Sequence, residues 1–281
     1  MGLFLGIDGG GTGCRAAVCD AAGRVLGRGE GGPANVWSDP DRALESILAA
    51  AGAAATAAGT PLARLDAVLG LAGANVPEAA ERVAARLPFA RFRIESDAFV
   101  ALKGALGTGD GITAALGTGS VYGVQRGGEV RMIGGWGFVL GDQGSGARIG
   151  RAVCEAALLA HDGIVAMTPL LATTLDAAGG PAGVVAFGQR ATPADFARAV
   201  PDVLAAAAAG DPAGIAILGE AEAAVARAID RLQADGPLPV CFLGGLGPIY
   251  AERLAGRYPG LIRPPLGTAL DGALALARGL A

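Results

Sequence analysis

At 281 residues the chain can form one large domain or two ordinary ones, with ample material for a buried core. A formal net charge of −4 and a pI near 5.1 argue against a basic nucleic-acid surface or a polybasic membrane patch, and the balance is too mild for charge-driven disorder. The mean hydropathy of +0.47 rests mostly on alanine, and the uncharged stretch Ser46–Ala63 is interrupted by Gly52, Gly59 and Pro61, so it lacks the sustained Leu/Ile/Val/Phe run of a bilayer span.

In chain order, strand signals open the sequence at Leu3–Ile7, Cys14–Val18 and Val25–Gly29, with a turn at Asp20-Ala21-Ala22-Gly23. No basic segment precedes the first strand, so no signal peptide is expected and the location is read as cytoplasmic. Ser38-Asp39-Pro40 starts a helix running to about Ala58. A strand at Ala67–Leu71 ends in Gly73-Ala74-Asn75, and a helix follows at Pro77–Leu87. A strand at Phe92–Glu95 then delivers Ser96-Asp97 to a helix at Ala98–Leu106.

The pattern then repeats. Gly111–Leu116, Ser120–Gln125 and Glu129–Ile133 form a second meander with a tight turn at Arg126-Gly127-Gly128. A long helix is expected over Ser145–Ala160, and two or three alanine-rich helices fill the span to Ala234, the runs at 49–58 and 204–209 being helix filler. A strand at Pro239–Leu243, a helix near 249–257 and a closing helix from Thr268 complete the chain. The fold class is therefore α/β with mixed sheets, duplicated as meander-then-αβ, with a cleft between the halves. The division is placed at 1–106 and 107–281, with Gly104–Asp110 as a hinge and the closing helix packing back on the first half.

Three strands run into glycine-rich turns. The first is Asp8-Gly9-Gly10-Gly11-Thr12, where glycine permits positive φ and close backbone approach, successive N–H groups can cradle an anion, and Asp8 could hold Mg²⁺ through water. The second is Gly117-Thr118-Gly119-Ser120 and the third Gly244-Gly245-Leu246-Gly247. Three such turns suit three contacts on one nucleotide. No G-x-x-x-x-G-K-[ST] occurs, and the first turn opens a strand rather than a helix, unlike a dinucleotide fingerprint. Cys14, Cys19, Cys154 and Cys241 contain no C-x-x-C, and His161 is the single histidine, so free thiols rather than a zinc site are expected. His161 itself reads as a helix-end dipole partner.

Asp8–Thr12, Leu116–Ser120 and Leu243–Gly245 resemble the phosphate-1, phosphate-2 and adenosine motifs of the actin, sugar-kinase and chaperone ATPase superfamily, whose domains are ribonuclease H-like. Gly32-Pro33-Ala34-Asn35, Glu95-Ser96-Asp97-Ala98, Gly134-Gly135-Trp136-Gly137, the run Gly141–Gly146 and the run Gly267–Ala273 are similar to its branch of N-acetylglucosamine kinases, glucosamine kinases and BadF/BcrA-type ATPases. The compact length and Leu159–Ile164 look most like bacterial glucosamine kinases.

The resemblance implies ATP and Mg²⁺ as cofactors. Gly10, Gly11, Thr12 and Gly13 would meet the phosphates from one side and Gly117, Thr118, Gly119 and Ser120 from the other, with Gly244 and Gly245 against adenosine and Asp8 on the Mg²⁺ water shell. Asp97 would be the base that activates the sugar 6-hydroxyl, and Asn35, Asn75, Asp97, Gly117, Trp136 and Asp142 would contact the amino sugar. Read without the resemblance, Ser96 or Asp97 caps one helix, Asp142 is a cap within the run to Ser145 before another, Asn35 is a loop residue and Trp136 core. For Asp97 the two roles are compatible through different carboxylate oxygens.

Two departures stand out. Gly13-Cys14 replaces a polar residue found in many relatives, and Gln143 stands where N-acetylglucosamine enzymes tend to carry Glu, which favours free glucosamine. The alternatives are an N-acetylglucosamine kinase, an activator ATPase with a dimer-bridging [4Fe–4S] cluster, and a sugar or ATP sensor without turnover. No nucleic-acid or membrane partner is expected, and a homodimer is common for such folds.

Overall fold

The computed structural model describes residues 2–280. In chain order the first elements are β1 (Leu3–Gly9), β2 (Cys14–Asp20), β3 (Val25–Gly31), α1 (Pro40–Ala57), β4 (Leu65–Leu71), α2 (Pro77–Ala84), β5 (Arg91–Ser96) and α3 (Asp97–Leu106). Then come β6 (Gly111–Leu116), β7 (Ser120–Arg126), β8 (Glu129–Gly134) and α4 (Gly146–His161). The helices α5 (Pro169–Ala178), α6 (Pro181–Arg190), α7 (Pro193–Ala197), α8 (Val200–Ala208) and α9 (Pro212–Leu232) follow. The chain closes with β9 (Val240–Leu243), α10 (Gly247–Arg253) and α11 (Ala269–Arg278). Two compact units result: Met1–Gly111 with Gly123–Val130 and Pro264–Ala281, and Ile112–Tyr122 with Arg131–Arg263.

The first unit is built on a five-stranded sheet in the order β3-β2-β1-β4-β5. β1 pairs antiparallel with β2 and parallel with β4, and β4 pairs parallel with β5. Both faces are covered, so β1 reads as a continuous apolar run rather than an alternating one. Leu5 and Ile7 join the core beneath α1, while Phe4 joins the opposite core with Val100 and Leu274. The alanines of α1 are more than filler, because Ala43, Ala50, Ala51 and Ala54 are fully buried. They sit against β3, where a Cβ on Gly27, Gly29 or Gly31 would overlap the carbonyl oxygens of Ala54, Ala50 and Ser46. Small residues on both sides let helix and strand approach at backbone distance. Gly29→Val is therefore expected to cost more than the roughly 1–3 kcal/mol of ordinary over-packing, read as a shifted midpoint in urea denaturation.

α11 docks on the other face. A Cβ at Gly6 would meet Leu274, at Gly104 the carbonyl of Thr268, and at Gly272 the carbonyl of Val100. Gly104 thus lies inside α3 and permits a helix crossing, instead of loosening a loop. The following segment is tied down as well: Gln125 Nε2 donates to the carbonyls of Gly107 (3.1 Å) and Gly109 (2.7 Å), and Gly127 N donates to Asp110 Oδ1 at 2.8 Å.

The sheet of the second unit has the order β8-β7-β6-β9, repeating β3-β2-β1-β4, and β6 pairs parallel with β9. This repeated order is the structural form of the duplication. The span expected to hold two or three alanine-rich helices holds five. Each carries proline in its first turn (Pro169, Pro181, Pro193, Pro201, Pro212), and a proline fits there but not in a helix interior, so the alanine content concealed the breaks. Among the described residues no single helix is long and apolar enough to cross a membrane. None of the four cysteines forms a disulfide among the described residues, and burial pushes their thiols up, Cys14 to about 12.

Candidate active site

In the first unit the parallel strands β1, β4 and β5 end together: Gly9 lies beside Leu71, and Leu71 beside Ser96. Ligands of open α/β sheets sit outside such carboxyl ends. Three loops are stitched there by backbone bonds. Ala72 N donates to Gly9 O (2.8 Å), Ala34 N to Gly10 O (2.9 Å) and Val36 N to Ala72 O (2.9 Å). Asp8, the 10–13 turn, Asn35, Asn75 and Asp97 therefore share one edge of one sheet.

The 10–13 turn closes with Gly10 N donating to Gly13 O at 2.9 Å, and none of its glycines has positive φ. The expected left-handed backbone is absent, because the β1–β2 pairing carries the turn without it. These glycines instead leave room. A Cβ would meet nothing within 4 Å at Gly11, only Gly13 O at 3.9 Å at Gly10, and only Gly31 O at 3.7 Å at Gly13. A cavity opens beside them, lined by Asp8, Gly10, Thr12, Gly13, Arg15 and Glu30 among others. Open space beside a glycine turn, which side chains would fill, suits phosphate.

Arg15 Nη2 lies 3.2 Å from Asp8 Oδ2, with the arginine side chain 66% exposed and the carboxylate largely covered. Burial raises the Asp8 pKa and Arg15 opposes the rise. The sequence reading passed over Arg15. Its signal was the hairpin register, which sets Arg15 opposite Asp8 once β1 and β2 pair antiparallel.

Asp97 opens α3, but its helix-capping duty belongs to Ser96, whose Oγ accepts from Phe99 N at 3.2 Å. Asp97 Oδ1 accepts from Ala98 N at 2.8 Å, and no other side chain bonds this carboxylate among the described residues. Burial raises its pKa, the Ala98 amide opposes the rise, and the negative charge of Asp8 adds to it. A carboxylate poised this way can accept a proton at neutral pH.

By residue type Asn35 offers both donor and acceptor. Its Oδ1 is already taken by the amides of Trp37 (3.0 Å) and Ser38 (3.1 Å), so Nδ2 is the group left for a ligand. A Cβ at Gly73 would reach Asn35 Oδ1 at 2.7 Å, so the Asn75 loop lies directly against it. Asn75 is exposed.

The second unit gathers its own set. The 117–120 turn is held by the N-terminus of α4, with Gly146 N donating to Gly117 O (2.8 Å) and Ala147 N to Thr118 O (3.2 Å). Asp142 does not cap α4; Ser145 does, accepting from Arg148 N at 3.3 Å. Asp142 is instead 9% exposed, at φ 58, and its Oδ1 accepts from Ser120 N at 3.3 Å. Non-glycine residues rarely occupy that region, and such strain collects at ligand sites. Burial raises its pKa, with the Ser120 amide and Arg148 opposing.

The Asp142 loop is pinned at three further points: Ser120 Oγ donates to Gln143 O (2.9 Å), Tyr122 Oη to the same oxygen (3.3 Å) and Tyr250 Oη to Gly144 O (2.5 Å). Nothing local in the sequence marks either hydroxyl for its carbonyl, which lies 21 residues from Tyr122 and 106 from Tyr250. Gly244 has φ 80 and packs on the Leu116 carbonyl, to which Leu246 N donates at 3.0 Å, so the adenosine-type and 117–120 turns are neighbours. Trp136 is 77% exposed, which removes the core reading, and its Cβ lies beside Gly141, next to Asp142.

With this geometry in view, residues 5–251 match the BadF/BadG/BcrA/BcrD ATPase family. The chain belongs to that family. A glucosamine kinase, GspK, from Vibrio cholerae is 32% identical over 99% of this chain and 96% of its own length. An N-acetylmuramic acid/N-acetylglucosamine kinase from Clostridium acetobutylicum is 31% identical over 58% of this chain and 55% of its own. The crystal structure of a Chromobacterium violaceum protein, provisionally assigned as an N-acetylglucosamine kinase, superposes with a TM-score of 0.87 at 35% identity, covering 99% of both chains. For this BadF/BadG/BcrA/BcrD ATPase, membership supplies the nucleotide, ATP. Among its described residues no group of three or more His, Cys, Asp or Glu is arranged to hold a metal directly. Asp8 with its open turn fits a Mg²⁺ that keeps its waters.

Proposed function

We propose that this ATPase is an amino-sugar kinase that transfers the γ-phosphoryl group of ATP to the 6-hydroxyl of glucosamine, giving glucosamine 6-phosphate. The observation that carries the reading is Asp97: a half-buried carboxylate at the end of β5, relieved of capping by Ser96 and raised in pKa, in a chain 32% identical throughout to a glucosamine kinase.

In this reading Asp97 accepts the proton of the 6-hydroxyl as that oxygen forms its bond to the γ-phosphorus. The bridging P–O bond breaks and ADP leaves. Mg²⁺, held by Asp8 through water, would supply neutralisation of phosphate charge. Within the first unit the open 10–13 turn takes phosphate; within the second the 117–120 turn takes phosphate beside Gly244 and Gly245, which accommodate adenosine. Within the first unit Asn35 donates through Nδ2 to a sugar hydroxyl with the Asn75 loop against it, and within the second Asp142 offers an acceptor for a sugar hydroxyl or a 2-ammonium with Trp136 alongside. Gln143 in place of glutamate supports the free amino sugar over its N-acetyl form.

The test is ADP release from Mg-ATP with glucosamine, N-acetylglucosamine, N-acetylmannosamine, glucose or no sugar. Stimulation by glucosamine above the others is expected. Preference for N-acetylglucosamine would correct the substrate, and hydrolysis indifferent to every sugar would overturn the kinase reading.

A further inference from the structure

The second unit carries an open cavity of about 420 Å³ between α4, α5, α6 and α8, with Arg190 and Asp202 exposed in its lining, and none of the residues assigned above to ATP or sugar lines it. That volume lies within the roughly 300–1,000 Å³ of small-ligand sites. Its deep wall is apolar: Val153, Leu170 and Val184 are buried, and Phe187 is held edge-on against Phe196 with ring centroids 5.2 Å apart.

Two opposite charges also line it, Arg190 in the last turn of α6 and Asp202 in the first turn of α8. Among the described residues neither forms an ion pair, with the other or with any third group, whereas nine other arginines do. Arg190 gives only Nε to its own helix, at the carbonyl of Ala186 (3.1 Å), which leaves its terminal nitrogens. The helix dipoles account for the sign of each charge at its helix end. They do not account for both charges bordering one apolar hollow.

This combination selects a ligand by exclusion. A free sugar would find Thr173, Thr174 and the two charges in the lining, but its hydroxyls facing Val153, Leu170 and Val184 would lack partners, a costly burial. A fatty acid would suit the wall and Arg190 but leave Asp202 without a partner. A molecule carrying an anion and a cation at one end and hydrocarbon at the other satisfies all three features. We propose that this cavity binds an α-amino acid with an apolar side chain, its carboxylate on Arg190, its ammonium on Asp202 and its hydrocarbon against Val153, Leu170 and Val184. The inference is independent of the kinase reading.

Cys154 reports on the site, because it lines the cavity and is the one cysteine that is not fully buried. The full chain is incubated with L-leucine or L-phenylalanine and treated with an alkylating agent at alkaline pH, since burial pushes this thiol up. At about ten times Kd, modification of Cys154 should slow about tenfold. Leucinamide and 4-methylpentanoate, each missing one charge, should protect far less, and glucosamine not at all. R190Q and D202N should each abolish protection by leucine while leaving sugar-free ATP turnover and the melting temperature unchanged. Equilibrium dialysis with radiolabelled leucine should show one equivalent bound, without recourse to the thiol. No binding of either amino acid by dialysis would overturn the proposal, as would protection that survives both R190Q and D202N.

Discussion

Asp97→Asn is expected to lower kcat by roughly 10²–10⁴-fold, the usual contribution of a positioned general base, with ATP affinity little changed. The amide keeps an oxygen for Ala98 N, and Ser96 keeps the cap, so α3 should retain its start. The same substitution should raise the melting temperature. Burial, reinforced by Asp8, holds the Asp97 pKa above its unfolded value. A raised carboxyl stabilises the fold while protonated, below the unfolded pKa, and that contribution is lost as pH rises through the folded value. At neutral pH the buried charge is therefore a cost that asparagine removes. The wild-type profile of kcat/KM should fall on its acid side at a pH above the ordinary aspartate range, and the residual activity of the variant should lack that limb. Near-normal turnover with an unchanged acid limb would take the base assignment away from Asp97.

Asp8→Ala is the second large effect. Loss of a group that organises charge at the reacting phosphates costs about 10²–10³-fold in comparable sites. The loss should fall on Mg²⁺-dependent turnover and on the strengthening of ATP binding by Mg²⁺, while sugar binding measured alone stays near wild type. Stability should not suffer. Arg15, 66% exposed, is left to water, and the desolvated carboxylate is gone. Arg15→Gln separates the contributions: it removes the counter-ion, so the Asp8 pKa should climb further and the acid limb of Mg²⁺-ATP binding should move to higher pH. If ATP binding in Asp8→Ala still tightened with Mg²⁺ as in the wild type, the ion would be held elsewhere.

Much of the local chemistry was legible because it is short-range. Strand-to-glycine turns at 8–12, 116–120 and 243–247, proline in first turns and serine before helices act within a few residues, and the elements stand close to where those signals put them. Asp97 and Asp142 were both noticed in the same way, as acids near helix starts. Which nearby polar residue caps each helix was left to the folded backbone: Ser96 takes Phe99 N while Asp97 takes only Ala98 N, and Ser145, three residues past Asp142, takes Arg148 N. The five helices between α4 and β9 were blurred because alanine content masked the prolines that divide them.

By itself the sequence determined the order of strands and helices, the duplication, and the residue types available for phosphate, base and sugar contacts, since propensity, capping and turn chemistry act locally. Tertiary structure alone decided what those residues meet. Hairpin register set Arg15 on Asp8, and helix docking on β3 explained Gly27, Gly29 and Gly31 as close-approach positions. Tyr122 and Tyr250 reached the Asp142 loop across long sequence separations, and Trp136 was turned outward. Contacts between residues distant in the chain depend on register and packing, and no local pattern encodes either.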